Sequence, residues 1–275
     1  MLEHILDIER DAFLWLNGGH TPFWDSFMWL YSGKAVWIPV SALILFMLFY
    51  RKNPKESLLI LLFLALAITL CDQFASGVCK PLFMRLRPTQ HPDFMDAVQT
   101  VYNYRGGKYG FISSHAANAF GFAVFTLLLL RDGRYTAGIL LWAVMMCYSR
   151  IYLGVHFISD IVPGMIAGAL FGFLCYKLYS FVRAKGFKRA GSASGMFPAI
   201  QKRLILCGLL TTVCYMLIYS HINVNILHNA RAGTPNREYA VKHYCRIWMQ
   251  KSFFSTENFA GSKLMRTFEA RIQEI

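Results

Sequence analysis

Three short segments of the sequence carry side chains whose types and spacing suit phosphate chemistry. The first runs Lys80-Pro-Leu-Phe-Met-Arg85-Leu-Arg87-Pro88, the second is Ser113-Ser114-His115, and the third joins Ser149-Arg150 to His156 and Asp160. Each lies at the edge of an apolar run, where an ionisable group is costly and therefore usually functional. Phosphoryl transfer needs positive charge and N–H donors around the equatorial oxygens, an in-line nucleophile and an acid for the leaving oxygen. Lys80, Arg87 and Arg150 supply the charge, the arginines through forks that match a tetrahedral oxyanion. Ser113 and the backbone N–H of Ser114 would add donors at a helix N-terminus, where the dipole favours an anion. His156 and Asp160 are four residues apart, hence on one face of a helix if the fifth span begins by His156. Asp160 could accept the Nδ1–H and leave Nε2 free to attack phosphorus. Arg85 and Lys108 read as anchors to lipid headgroups. Asp72 reads equally as a partner for a site cation or as a structural hydrogen-bonding group.

Taken in order, the segments resemble the three-part signature of the type 2 phosphatidic acid phosphatase family, KxxxxxxRP, PSGH and SRxxxxxHxxxD, which is shared with the vanadium haloperoxidases. Lys80, Arg87 and Pro88 match the first part, and Ser149, Arg150, His156 and Asp160 the third. In the second part Ser113 and His115 are retained, while Ile112 stands in the Pro position and Ser114 in the Gly position. The resemblance spans about residues 72–172. It implies a phosphohistidine intermediate on His156, with His115 as the acid that protonates the departing oxygen and later activates water. No acidic cluster suited to magnesium is apparent, so a reaction without metal or cofactor is expected.

The elements that would hold these residues are membrane helices. The 275 residues are 56% hydrophobic and only 16% charged, with a mean hydropathy of +0.38, more apolar than a soluble domain of this length requires. Lys and Arg outnumber Asp and Glu by 28 to 15. These cations lie between apolar runs and form no single basic domain, which points to phospholipid headgroups and phosphate esters and not to nucleic acid. The seven cysteines form no CxxC pair and read as small apolar residues. Residues 1–10 carry Glu3, Asp7 and Glu9 where a signal peptide would be basic. The fold expected is all-α, a polytopic transmembrane bundle of about five to six spans preceded by an interfacial helix. The spans are placed at about residues 36–50, 58–78, 116–130, 135–148, 157–178 and 204–219, with an aromatic stretch from Phe23 to Trp37 as an interfacial belt before the first. Gly164, Gly168 and Gly172 recur at four-residue intervals, a face that lets helices approach closely.

The segmentation expected is an interfacial N-terminal part (1–33), a membrane phosphatase core (34–182), a basic linker with a sixth span (183–222) and a polar, basic tail (223–275). Short loops around Arg51, Arg131 and Arg183–Arg189 would be cytoplasmic, leaving the three motif segments facing outward. The function expected is hydrolysis of a lipid phosphate or diphosphate. Undecaprenyl diphosphate is favoured because Arg85, Arg87, Arg105 and Lys108 could hold a second phosphate. Phosphatidylglycerol phosphate, phosphatidic acid or a lipid A phosphate are the alternatives within the class. A non-catalytic phospholipid carrier and a vanadate haloperoxidase are the alternatives outside it.

Overall fold

The computed structural model describes residues 2–186 and 197–231. Its regular structure is helical: α1 (Leu2–Asn17), α2 (Pro22–Ser32), α3 (Ile38–Phe49), α4 (Pro54–Asp72), α5 (Lys80–Phe83), α6 (Ser114–Leu130), α7 (Gly133–Tyr152), α8 (Ile158–Gly186) and α9 (Ala199–Arg231). Helix starts follow local chemistry. Thr21, Asn53, Ser113 and Asp132 each cap the helix behind them by accepting a backbone N–H, and Pro22 and Pro54 occupy first-turn positions where no N–H is needed. Asp160 closes α8 in the reciprocal manner, accepting from the N–H of Phe157 at 3.0 Å.

Each of the six apolar runs becomes helix. Residues 54–83, 158–186 and 199–225 are long and apolar enough to cross a bilayer by themselves. Residues 22–32 and 35–49 meet that standard together but bend by 67°. α6 is a shorter apolar helix, and α7 has 20 residues. The faces of α4 and α8 that meet no other helix expose Leu58, Leu62, Ile166 and Leu170, as a lipid-facing surface requires. The chain is a multi-pass membrane protein.

α6 lies among α4, α7 and α8 and buries Ala116, Ala117, Ala119, Ala123, Phe125 and Leu129. The glycine face of α8 meets it directly. A Cβ at Gly168 would stand 2.2 Å from the Ala117 carbonyl oxygen, and one at Gly172 2.5 Å from that of Gly121. α9 covers α3 and α7, with Gly208 against Leu43 and Gly138 against Leu206. The aromatic stretch expected as a belt is divided: Phe27, Tyr31 and Trp37 are buried, and Trp24 is exposed. Tyr31 packs on Trp37 and Trp37 on Trp142, because the bend between α2 and α3 folds these rings inward.

α1 is docked at one edge and exposed at the other. Phe13 is fully buried against Phe94 and Phe157, whereas Ile8 and Trp15 are exposed. The Asn17 amide fastens its end, donating to the carbonyls of Gln99, Ile151 and Tyr152 and accepting from the Gln99 N–H. These helices fall in one compact unit through residue 218. Residues 219–231 continue as helix, so the start of the expected tail is helical. The remainder of that tail, and residues 187–196 of the expected linker, lie outside the described residues.

Candidate active site

Alternation of the helices collects the three motif segments at one end. The loop after α5 and the start of α6, then the loop between α7 and α8, follow successive crossings. At the opposite end an ion pair between Arg183 and Glu56 ties the end of α8 to the start of α4.

Lys80 follows seven residues of π-helix, Gln73–Cys79. Such wide turns inside α-helices often mark functional positions. Here the widened turn sets Ser76 and Lys80 toward α6: the Lys80 ammonium donates to Ser114 Oγ at 2.7 Å and to Ser76 Oγ at 3.1 Å, and the two hydroxyls are 2.9 Å apart. Ser114 therefore meets the motif lysine through its side chain, which its place in the glycine position of the motif did not announce. Ser113 is fully buried. Its hydroxyl caps α6 at Ala116, and its N–H donates to the Asp160 carbonyl oxygen at 2.9 Å, joining the second motif segment to the third.

Arg87 is buried, its Nε donating to the Tyr109 carbonyl oxygen at 3.1 Å. Gly106, at φ +67°, has no room for a side chain, since a Cβ would meet Arg87 Nη1 at 2.6 Å. Gly110 is equally confined, its Cβ position lying 2.8 Å from Asp160 Oδ2 and 3.3 Å from Arg87 Cγ. Arg150 is also buried; Nη1 donates to Ser32, while Nε has no hydrogen-bond partner among the described residues. A donor in that state can serve an anion that is not part of the chain.

His156 precedes the first residue of α8, so it and Asp160 do not share a helical face, although their side chains still approach each other. His156 Nδ1 lies 3.4 Å from Asp160 Oδ2, longer than a well-formed hydrogen bond. Both are enclosed, at 1% and 0% exposure. His156 stands in the loop before α8, and its pKa is held well below the ordinary histidine value, first by burial and then by the charges of Arg87, Arg150 and Lys80. The imidazole is therefore neutral at physiological pH. His115, in the first turn of α6, stands within electrostatic reach of Arg150, His156, Lys34 and Arg87. Asp72 acts on Lys80 only as a charge at a distance.

Arg85 is not the free headgroup anchor expected from sequence. Its guanidinium donates to Asp160 Oδ1 at 2.7 Å, to Glu9 Oε2 at 2.9 Å and to Ser159 Oγ, and it lies over the Phe157 ring at 4.7 Å. Arg105 and Lys108 are exposed on the same loop. Of the four cations expected to hold a second phosphate, Arg85 is thus committed to carboxylates. Sequence reasoning also missed Glu9, Ser76, Gly106 and Gly110. Gly106 and Gly110, four apart beside Arg87, gave the nearest thing to a signal.

The arrangement gathers three cations, serine hydroxyls and a neutral imidazole backed by a carboxylate, a set able to surround a phosphate and attack it in line. Comparison with known proteins agrees with that chemistry. The PAP2 superfamily family model matches residues 61–184. A lipid A 4'-phosphatase of Porphyromonas gingivalis is 43% identical over 228 residues, 82% of this chain and 97% of that protein. One from Bacteroides thetaiotaomicron is 38% identical over 225 residues, 80% and 98% of the two chains. An undecaprenyl-diphosphatase of Sulfolobus acidocaldarius is 30% identical over 157 residues, 56% of this chain and 68% of that one.

Proposed function

This chain belongs to the PAP2 superfamily, and we propose that within it the protein removes a phosphate monoester from a lipid A-type glycolipid through a phosphohistidine on His156. That it is a membrane lipid phosphatase follows from the family; the substrate and the residue roles are our reading. The observation that carries the substrate is the 43% identity to a lipid A 4'-phosphatase along 97% of its length. Undecaprenyl diphosphate, favoured from loop charge alone, gives way. Relatives of that activity are more distant and match less of their own length, and Arg85, on which the argument depended, is already paired with two carboxylates.

In this reading the phosphate enters among Lys80, Arg87 and Arg150. Lys80 exchanges its serine hydroxyls for phosphate oxygens, and the hydroxyls of Ser113 and Ser114 and the Ser114 N–H add hydrogen bonds. His156 Nε2 forms a bond to phosphorus as the bond to the lipid oxygen breaks, and His115 delivers a proton to that oxygen. The His156–Asp160 contact shortens as the imidazole becomes cationic. Water then attacks the phosphohistidine, gives its proton to His115 and releases inorganic phosphate. With the motif end of the bundle opposite the basic loops, the site faces outward.

The test is phosphate release by the purified protein in detergent with EDTA, from lipid A, undecaprenyl diphosphate, phosphatidylglycerol phosphate and phosphatidic acid. Lipid A should be hydrolysed fastest, and His156→Ala should abolish release while vanadate still binds. Faster hydrolysis of another lipid overturns the substrate. Binding of every lipid without release would favour the carrier.

A further inference from the structure

Asp160 carries more than a motif carboxylate ordinarily would. It is fully buried on α8, closes that helix through the Phe157 N–H, faces His156 Nδ1 and accepts from Arg85. The charged groups around it are Arg85, Arg87, Lys80 and His156. Arg85 forms an ion pair with it at 2.7 Å. A carboxylate withdrawn from water needs such a partner to keep its charge and its direction.

Arg85 is itself aimed. Its second nitrogen pairs with Glu9 Oε2 at 2.9 Å, and Glu9 Oε1 accepts from the Ser159 N–H at 2.9 Å and from the Ser159 hydroxyl. Glu9 belongs to α1, whose buried Phe13 and Asn17 lock it against the loop and α7. The contacts form one chain from α1 to the nucleophile: Glu9, Arg85, Asp160, His156. Neither Glu9 nor Arg85 occupies a fixed position of the family signature.

We propose that Arg85 and Glu9 are positioning residues for catalysis, the guanidinium holding the Asp160 carboxylate against His156 Nδ1 and α1 holding the guanidinium. Arg85 acts through Asp160 and touches no phosphate. This role rests on His156 being the nucleophile, as proposed above.

The two roles open to Arg85, positioning and substrate binding, separate in kinetics. If Arg85 positions, Arg85→Gln lowers kcat by about 10- to 100-fold, the scale on which outer partners of functional imidazoles act. KM and the vanadate inhibition constant stay within about twofold because the phosphate cations are untouched. Arg85→Lys recovers part of kcat. Glu9→Gln lowers kcat by a smaller factor and adds nothing in the Arg85→Gln background, since its effect passes through Arg85. A cavity of about 220 Å³ lined by Glu9, Arg85 and Phe157 opens beside the pair, so methylguanidinium should restore kcat to Arg85→Ala.

A raised KM and weakened vanadate inhibition at unchanged kcat would make Arg85 a substrate ligand and overturn the proposal. So would additive effects of Glu9→Gln and Arg85→Gln, or a loss in thermal midpoint with kcat preserved. If Arg85→Gln does not fold, Glu9→Gln and Arg85→Lys still decide, through the same division between kcat and KM. The underlying reading has its own control. An active His156→Ala overturns the nucleophile assignment, whereas an inactive His156→Ala beside wild-type kinetics in the Arg85 and Glu9 variants overturns only this inference.

Discussion

At the scale of the residue, the protonation of His156 decides when the enzyme can work. Burial and three cations hold its pKa below the ordinary histidine range, and the attacking form is neutral. Lowering pH therefore removes activity only when it falls through that depressed value. The acid limb of kcat/KM for the free enzyme should lie well below about pH 6.5. A limb at or above that value would show that the cations do not act on the nucleophile. Ser114 is the other informative position. Its hydroxyl accepts from Lys80 and in the proposed reaction turns to the phosphate, where a hydrogen bond to a charged group is worth about 1.5–3 kcal/mol. Ser76 still holds Lys80, so Ser114→Ala should lower kcat/KM by about tenfold, the low end of that range. Restoration of the family's residue in Ser114→Gly should do no better, and wild-type kinetics in both variants would leave the hydroxyl without a role. Lys80, Arg87, Arg150, His156 and Asp160 were legible because their spacing within each segment is itself a signature. Arg85 and Glu9 were not, because their partners lie 75 and 76 residues apart. A salt bridge between elements leaves no periodic trace in sequence.

At the scale of the element, six helices could be read from apolar runs, whereas their placement depends on small residues whose neighbours the sequence does not reveal. The glycine face of α8 was recognisable by its four-residue repeat, but its opposite surface on α6, from Ser113 to Gly121, was not. The close approach has unequal consequences along its length. At Gly168 an added methyl meets backbone, which cannot move aside, so Gly168→Ala should cost at least the roughly 1–3 kcal/mol of ordinary overpacking. The readout is a lower thermal midpoint in detergent. At Gly164 the methyl would meet the Ser113 carbonyl oxygen at 2.8 Å. Gly164→Ala should therefore reduce kcat in protein that remains folded, by displacing the cap of α6 and the serine beside it. Equal behaviour of the two variants would mean that the contact serves packing alone. The interior course of Phe27, Tyr31 and Trp37 has a similar origin. An aromatic run is equally compatible with an interface and a core, and only the bend after α2 selects the core.

At the scale of the whole molecule, charge and chemistry are divided between the two ends of the bundle. Arg51, Lys52, Arg131, Arg134, Arg183 and Lys185 lie at the turns opposite the site, where no motif residue is found, and the proposed outward-facing site would leave these turns cytoplasmic. Four cations of the other end, Lys80, Arg85, Arg87 and Arg150, are at least partly buried and engaged with serines, carboxylates or backbone, whereas Arg105 and Lys108 are exposed there. The four buried ones are held by the protein and contribute little to orientation, which reduces the conflict that a simple count of loop charges creates. The orientation can be read with cysteines introduced at two exposed positions, Lys108 on the loop beside the site and Arg134 at the start of α7. In intact spheroplasts a membrane-impermeant maleimide should label Lys108→Cys and leave Arg134→Cys unmodified until the membrane is opened. Cys207 and Cys214 lie within the span of α9, so the parent protein provides the background. The reverse pattern would place the site on the cytoplasmic side, and the lipid would then have to present its phosphate there before it is exported.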